Sequence, residues 1–137
     1  MRPFFDTNVL VYFVDEDEPE KKEVARNLVE KHLVGGNGML SVQVLREFYS
    51  AARKLRRPLS DEKAYEAVRH FAVFSSIPED ARMVLGAARR SQEASLSFWD
   101  ALIVEAALAG GADSLLTEDL QHGQVIEGLR IDNPFLR

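Results

Sequence analysis

Apolar positions along the chain fall into short unbroken blocks that alternate with longer stretches of helical spacing. Arg2 to Phe5 is a brief apolar block ended by Asp6, and its aromatic pair predicts a buried strand. Met39-Leu40, Ala72 to Ile77, Ser114 to Thr117 and Leu129 to Ile131 read as further strands. Between them the apolar residues recur every three or four positions. Val24, Ala25, Leu28, Val29 and Leu33 form one such face between Glu20 and Leu33. Val44, Leu45, Phe48 and Ala52 form a second, with Ser41 as N-cap, and Ala64, Val68 and Phe71 a third behind Ser60. Pro78, followed by Glu79 and Asp80, is expected to open another helix, because proline fits a first turn and acids favour the positive end of the dipole. Ser97-Phe98-Trp99-Asp100 has the form of a capping box. The helix behind it, Ala101 to Ala109, is apolar nearly all round and should be deeply buried. Phe98 and Trp99 are expected to fill the core beneath it. Gly35-Gly36-Asn37-Gly38 and Gly110-Gly111 break the chain. Strands alternating with helices predict right-handed crossovers, hence an α/β fold. The expected form is a three-layer α/β/α sandwich around a mainly parallel sheet of four to five short strands.

Composition narrows the function classes. The 137 residues make one domain, 1–137, with 46% hydrophobic and 28% charged residues, ordinary globular values that exclude disorder and collagen-like structure. With no cysteine, thiol catalysis, thiolate zinc sites and a disulfide framework are excluded. The longest purely apolar run, Val9 to Val14, is far short of a membrane span, and no signal-peptide pattern opens the sequence. A soluble cytoplasmic protein is expected. The net charge of −5 argues against a generally basic nucleic-acid surface. It leaves room for a local basic rim, or for a phosphate site in which metal ions supply the positive charge.

Four acids stand against apolar sequence at strand or helix ends. Asp6 follows the first strand, Glu47 lies in the helix after the second, Asp100 starts the buried helix, and Asp119 comes two residues after Thr117. In an open parallel sheet, residues just past the strand carboxyl ends converge in one crevice. Each acid also has a purely structural reading: Asp6 as an N-cap, Asp100 as a capping-box acid, Glu47 as a solvated helix residue, Asp119 as a turn residue in competition with Glu118. Two carboxylates ~5 Å apart repel by roughly 3 kcal/mol at an effective dielectric of ~20, so a cluster of four needs protons or cations. Mg²⁺ or Mn²⁺ suits an all-oxygen site and suits phosphodiester chemistry. Nucleotide-binding glycine loops and a nucleophile elbow are missing, and His32, His70 and His122 are not paired at ligand spacing.

Phe4-Phe5-Asp6-Thr7-Asn8-Val9-Leu10, Ser41-Val42-Gln43-Val44-Leu45-Arg46-Glu47-Phe48, Phe98-Trp99-Asp100-Ala101-Leu102-Ile103 and Leu115-Leu116-Thr117-Glu118-Asp119 resemble, in order, the four signature blocks of PIN domains. The likeness is closest to the VapC-type toxins of bacterial toxin–antitoxin modules and covers the whole chain. It implies a Mg²⁺- or Mn²⁺-dependent endoribonuclease with Asp6, Glu47, Asp100 and Asp119 as catalytic metal ligands and Asn8 and Thr117 as polar helpers. It also implies a homodimer and a separate antitoxin that blocks the site. Arg46 and Arg53, seven apart on the helix that carries Glu47, are candidates for an RNA-binding rim, against the plainer reading of a solvated face. Two other readings stand beside this one. A haloacid-dehalogenase-like phosphatase would share Asp6 but would find Asn8 where its general acid belongs. A PIN-like module that binds without cutting would have no use for four mutually repelling acids.

Overall fold

The first strand, β1 (Pro3–Phe5), is buried along its length and passes through a single residue, Asp6, into α1 (Thr7–Val14). The computed structural model describes residues 1–136. α2 (Pro19–Leu28) continues into a wider π-helical stretch, Val29–Val34, which together match the helix expected from spacing. β2 (Met39–Ser41) turns at Ser41 into α3 (Val42–Ala52), and the Ser41 hydroxyl accepts the Val44 N–H as expected of a cap. α4 (Asp61–Ala72), β3 (Ser75–Ile77), α5 (Ala81–Glu93), α6 (Phe98–Ala109) and β4 (Ser114–Leu116) follow. β5 (Val125–Ile126) and β6 (Leu129–Asp132) complete the order.

The strands form one six-stranded sheet in the order β3-β2-β1-β4-β6-β5, parallel except for β5 against β6. Phe4, Phe5, Leu40, Leu115 and Leu116 on its central strands are fully buried and meet Val9, Leu10, Val44, Phe48 and Val104 from the helices. Continuous burial of central strands is what a parallel sheet covered on both faces requires.

Four expectations need correction. The sheet has six strands rather than four to five, because Val125–Ile126 folds back on β6 as a short hairpin. The third strand begins at Ser75: Ala72 closes α4, one residue beyond Phe71 in the pattern of Ala64, Val68 and Phe71. Pro78 does not open α5; Asp80 does, by accepting the Met83 N–H at 2.9 Å. Trp99 is not in the core but 61% exposed. A helix leading into a parallel strand starts at the strands' carboxyl edge, and the first turn of α6 stands beyond the packed layer. Phe98 is half-buried against Ala87, Ala101 and Leu102.

Candidate active site

Because β1, β2 and β4 are parallel, their carboxyl ends share one edge. The Asp6 N–H donates to the Leu116 carbonyl at 3.1 Å, extending the β1–β4 ladder so that Asp6 and Thr117 stand side by side. One Asp6 oxygen accepts the Thr7 N–H at 2.7 Å and caps α1; the other accepts the Thr117 hydroxyl at 2.7 Å. The cap and the site are thus the same carboxylate using different oxygens. Thr117 Oγ1 in turn accepts Asn8 Nδ2 at 3.2 Å and the Asp119 N–H at 3.1 Å. Both its lone pairs and its proton are then engaged, so the hydroxyl is fixed with its proton toward Asp6. Asn8 Nδ2 also donates to Asp119 Oδ2 at 3.0 Å.

Glu47 reaches the same place from α3. Its Oε1 accepts the Thr7 hydroxyl at 2.7 Å and its Oε2 accepts Gln43 Nε2 at 3.2 Å. Gln43 is one helical turn earlier, and its Nε2 donates as well to the Trp99 carbonyl at 3.3 Å. That bond ties α3 to the first turn of α6, where Asp100 sits behind the cap Ser97. Thr7 and Gln43 were assigned no role from sequence, although the i, i+4 spacing of Gln43 and Glu47 is a signal for such a pair.

The electrostatics follow from this crowding. Burial pushes the Asp6 carboxyl from 3.8 up to about 7 against the lowering effect of its Thr117 and Thr7 hydrogen bonds, and the charges of Asp119 and Glu47 add to the rise. Asp100 is also raised, first by burial, with Ser97 opposing and Asp119 and Glu47 adding. All four predicted acids therefore belong to one field. Among the described residues none of the four has an ion-pair partner. Their neighbour Glu118 does: it is bonded to the Tyr12 hydroxyl and to Lys21 Nζ at 3.1 Å, so its side chain is turned away from Asp119. Arg46 and Arg53 lie on α3 but are held by Glu79 and Asp61, each at 2.5 Å. His122 accepts the Asn133 N–H, and His32 is bonded to Asn37.

An all-oxygen donor set with unbalanced negative charge fits a hard divalent cation. Gln43 Oε1 is buried and without a hydrogen-bond partner. Among the described residues no three acids or histidines are close enough to form a ready cage. Asp6, Glu47 and Asp119 are each held by side-chain hydrogen bonds of their own.

The PIN-domain family profile matches residues 4–127. The chain belongs to the PIN-domain family. Three solved structures show how widely this PIN fold is shared. A toxin–antitoxin complex from Klebsiella pneumoniae is similar over 97% of this chain and 98% of that one, with a TM-score of 0.70 at 20% identity. DNA-bound VapBC from Salmonella typhimurium is similar over 98% of both chains, with a TM-score of 0.70 at 19% identity. VapC20 of Mycobacterium tuberculosis, described as a toxin that cleaves the sarcin–ricin loop, covers 85% of this chain and 89% of its own, with a TM-score of 0.64 at 19% identity. Comparison with curated protein sequences gives no match. Among the described residues of this PIN domain no helix is long and apolar enough to cross a membrane.

Proposed function

We propose that this PIN domain is a Mg²⁺- or Mn²⁺-dependent endoribonuclease and the toxin of a toxin–antitoxin pair, acting in the cytoplasm as a homodimer. The observation that carries the reading is the set of four mutually interacting acids that, among the described residues, no Lys, Arg or His pairs with, while Glu118 beside them is neutralised by Lys21. Such a set has a use when a divalent cation completes it. The toxin–antitoxin structures of the same fold support an antitoxin partner, and the RNA-cleaving toxin among them supports RNA as substrate.

In this reading Asp6, Glu47, Asp100 and Asp119 hold the metal. When bound, the metal lowers the pKa of water and offsets charge on the phosphate and leaving oxygen. Thr117 and Asn8 keep the Asp6 and Asp119 carboxylates oriented, and Thr7 and Gln43 do so for Glu47. Arg46 and Arg53 supply phosphate contacts at the rim, since exposed ion pairs are worth little and exchange readily for RNA. The phosphatase reading fails on Asn8, whose amide is committed to Thr117 and Asp119 and has no acidic proton to transfer.

Incubating the purified chain with RNA in Mg²⁺, in Mn²⁺ and in excess chelator tests the reading. Cleavage is expected only with metal, and Asp100→Asn is expected to lower it by orders of magnitude while the fold is kept. Cleavage undiminished by the chelator overturns it.

A further inference from the structure

Trp99 is the single tryptophan of the chain, and 61% of it faces solvent. Tryptophan is highly buried on average, so an exposed indole held in a fixed place is a candidate contact residue. Its position is fixed rather than incidental. Its carbonyl is bonded to Gln43, the residue that also holds Glu47, and the next residue is Asp100. Phe98 packs edge-on against its ring, with centroids 5.1 Å apart at 77°, and Phe98 itself rests on Ala87, Ala101 and Leu102. The indole is thus a braced apolar plate on the turn of α6 that carries Asp100.

Two features of the surroundings select the occupant. The exposed plate carries no formal charge, and the turn that holds it bears Asp100, whose charge interacts with Glu47 and Asp119, so its partner must offer a flat apolar face close to a group that can meet those acids through a cation. A nucleobase on a phosphodiester strand does this: the base would stack, and the adjoining phosphate would meet a cation held by Asp6, Glu47, Asp100 and Asp119. Stacking on an aromatic side chain is also tolerant of sequence, because every base has a π-face.

We propose that Trp99 is the stacking platform for a nucleobase next to the scissile phosphate, and so a substrate-positioning residue. The inference rests on the ribonuclease reading above and names how that site grips single-stranded RNA.

The test uses the full chain carrying Asp119→Asn, so that bound RNA is not cut, in Mg²⁺. Emission of the indole, which reports Trp99 alone, is followed as a short single-stranded RNA of mixed sequence is added, and again with an abasic ribose–phosphate strand of the same length. RNA is expected to quench the emission and the abasic strand is not. Adding Trp99→Ala is expected to weaken RNA binding about tenfold and Trp99→Phe much less, with Tm and the mass in solution unchanged. Equal quenching by the abasic strand, or an RNA affinity that Trp99→Ala leaves untouched, overturns the proposal. So does a Trp99→Ala chain whose mass in solution falls, which assigns the ring to a second copy of the chain. Failure of the ribonuclease reading shows separately: RNA that quenches Trp99 but is never cut by the unaltered chain supports the platform and removes the nuclease.

Discussion

Asp6 caps α1, is buried and is flanked by like charge at once, and these roles set its response to pH. Below about pH 3.8 its carboxyl is protonated in both the folded and unfolded chain and has no effect on stability. Between 3.8 and about 7 the unfolded chain ionises it and the folded chain does not, so stability falls as pH rises; above 7 the loss is complete, at most about 4 kcal/mol. The half-buried Asp100 acts in the same direction. Thermal melts of the metal-free protein from pH 4 to 8 should therefore show Tm dropping toward neutrality, and Asp6→Asn should flatten that slope. A metal-free Tm that rises through this range would leave burial of Asp6 without the expected energetic effect. The acids themselves were legible in the sequence because Asp6, Asp100 and Asp119 stand at or near element ends and Glu47 lies on the helix that follows the second strand. Thr7 and Gln43 were not, because a hydroxyl or amide has no charge to mark it and declares its role only through a partner: Glu47 is forty residues from Thr7 in sequence and 2.7 Å away in space.

Among the elements, what was readable was periodicity, and what was lost was length. α3 and α6 announce themselves by spacing and by the caps Ser41 and Ser97. β5 has only two residues, too few for any alternation, and its turn uses Glu127-Gly128, both at positive φ, in place of the commoner Asn-Gly pair. The start of α5 was misplaced because Pro78, Glu79 and Asp80 are all plausible near a helix start, and only the Asp80–Met83 bond distinguishes them. Trp99 was misplaced because an apolar run does not reveal where the packed layer ends. The direct β2-to-α3 turn depends on one buried hydroxyl. Ser41→Ala should lower stability by about 1 kcal/mol, read from chemical denaturation, since the Val44 N–H loses its acceptor where water does not replace it. Because Ser41 holds α3 by the backbone only, the response of the protein to Mg²⁺ should survive the change.

For the molecule as a whole, the fold class and the convergence of the parallel strand ends at one edge were legible, since alternating strands and helices leave a parallel sheet few arrangements. The net charge of −5 is then concentrated, in part, on one edge. A cation bound there stabilises the fold by an amount that grows with concentration over Kd, about 2.7 kcal/mol at a hundredfold excess. Differential scanning should show Tm climbing with Mg²⁺ or Mn²⁺ but not with NaCl of equal ionic strength; equal shifts from both salts would mean general screening and no site. The sheet order has one more consequence. β1 is among the first segments made, yet its neighbour β4 and the Thr117–Asp119 corner that completes the acid set follow only after Asp113. During synthesis the emerging chain therefore holds three of its four acids with no wall to set them against. The finished cleft exists only once the second half of the sheet has been translated and docked, so the last stretch of chain to be made decides when the acids acquire their geometry.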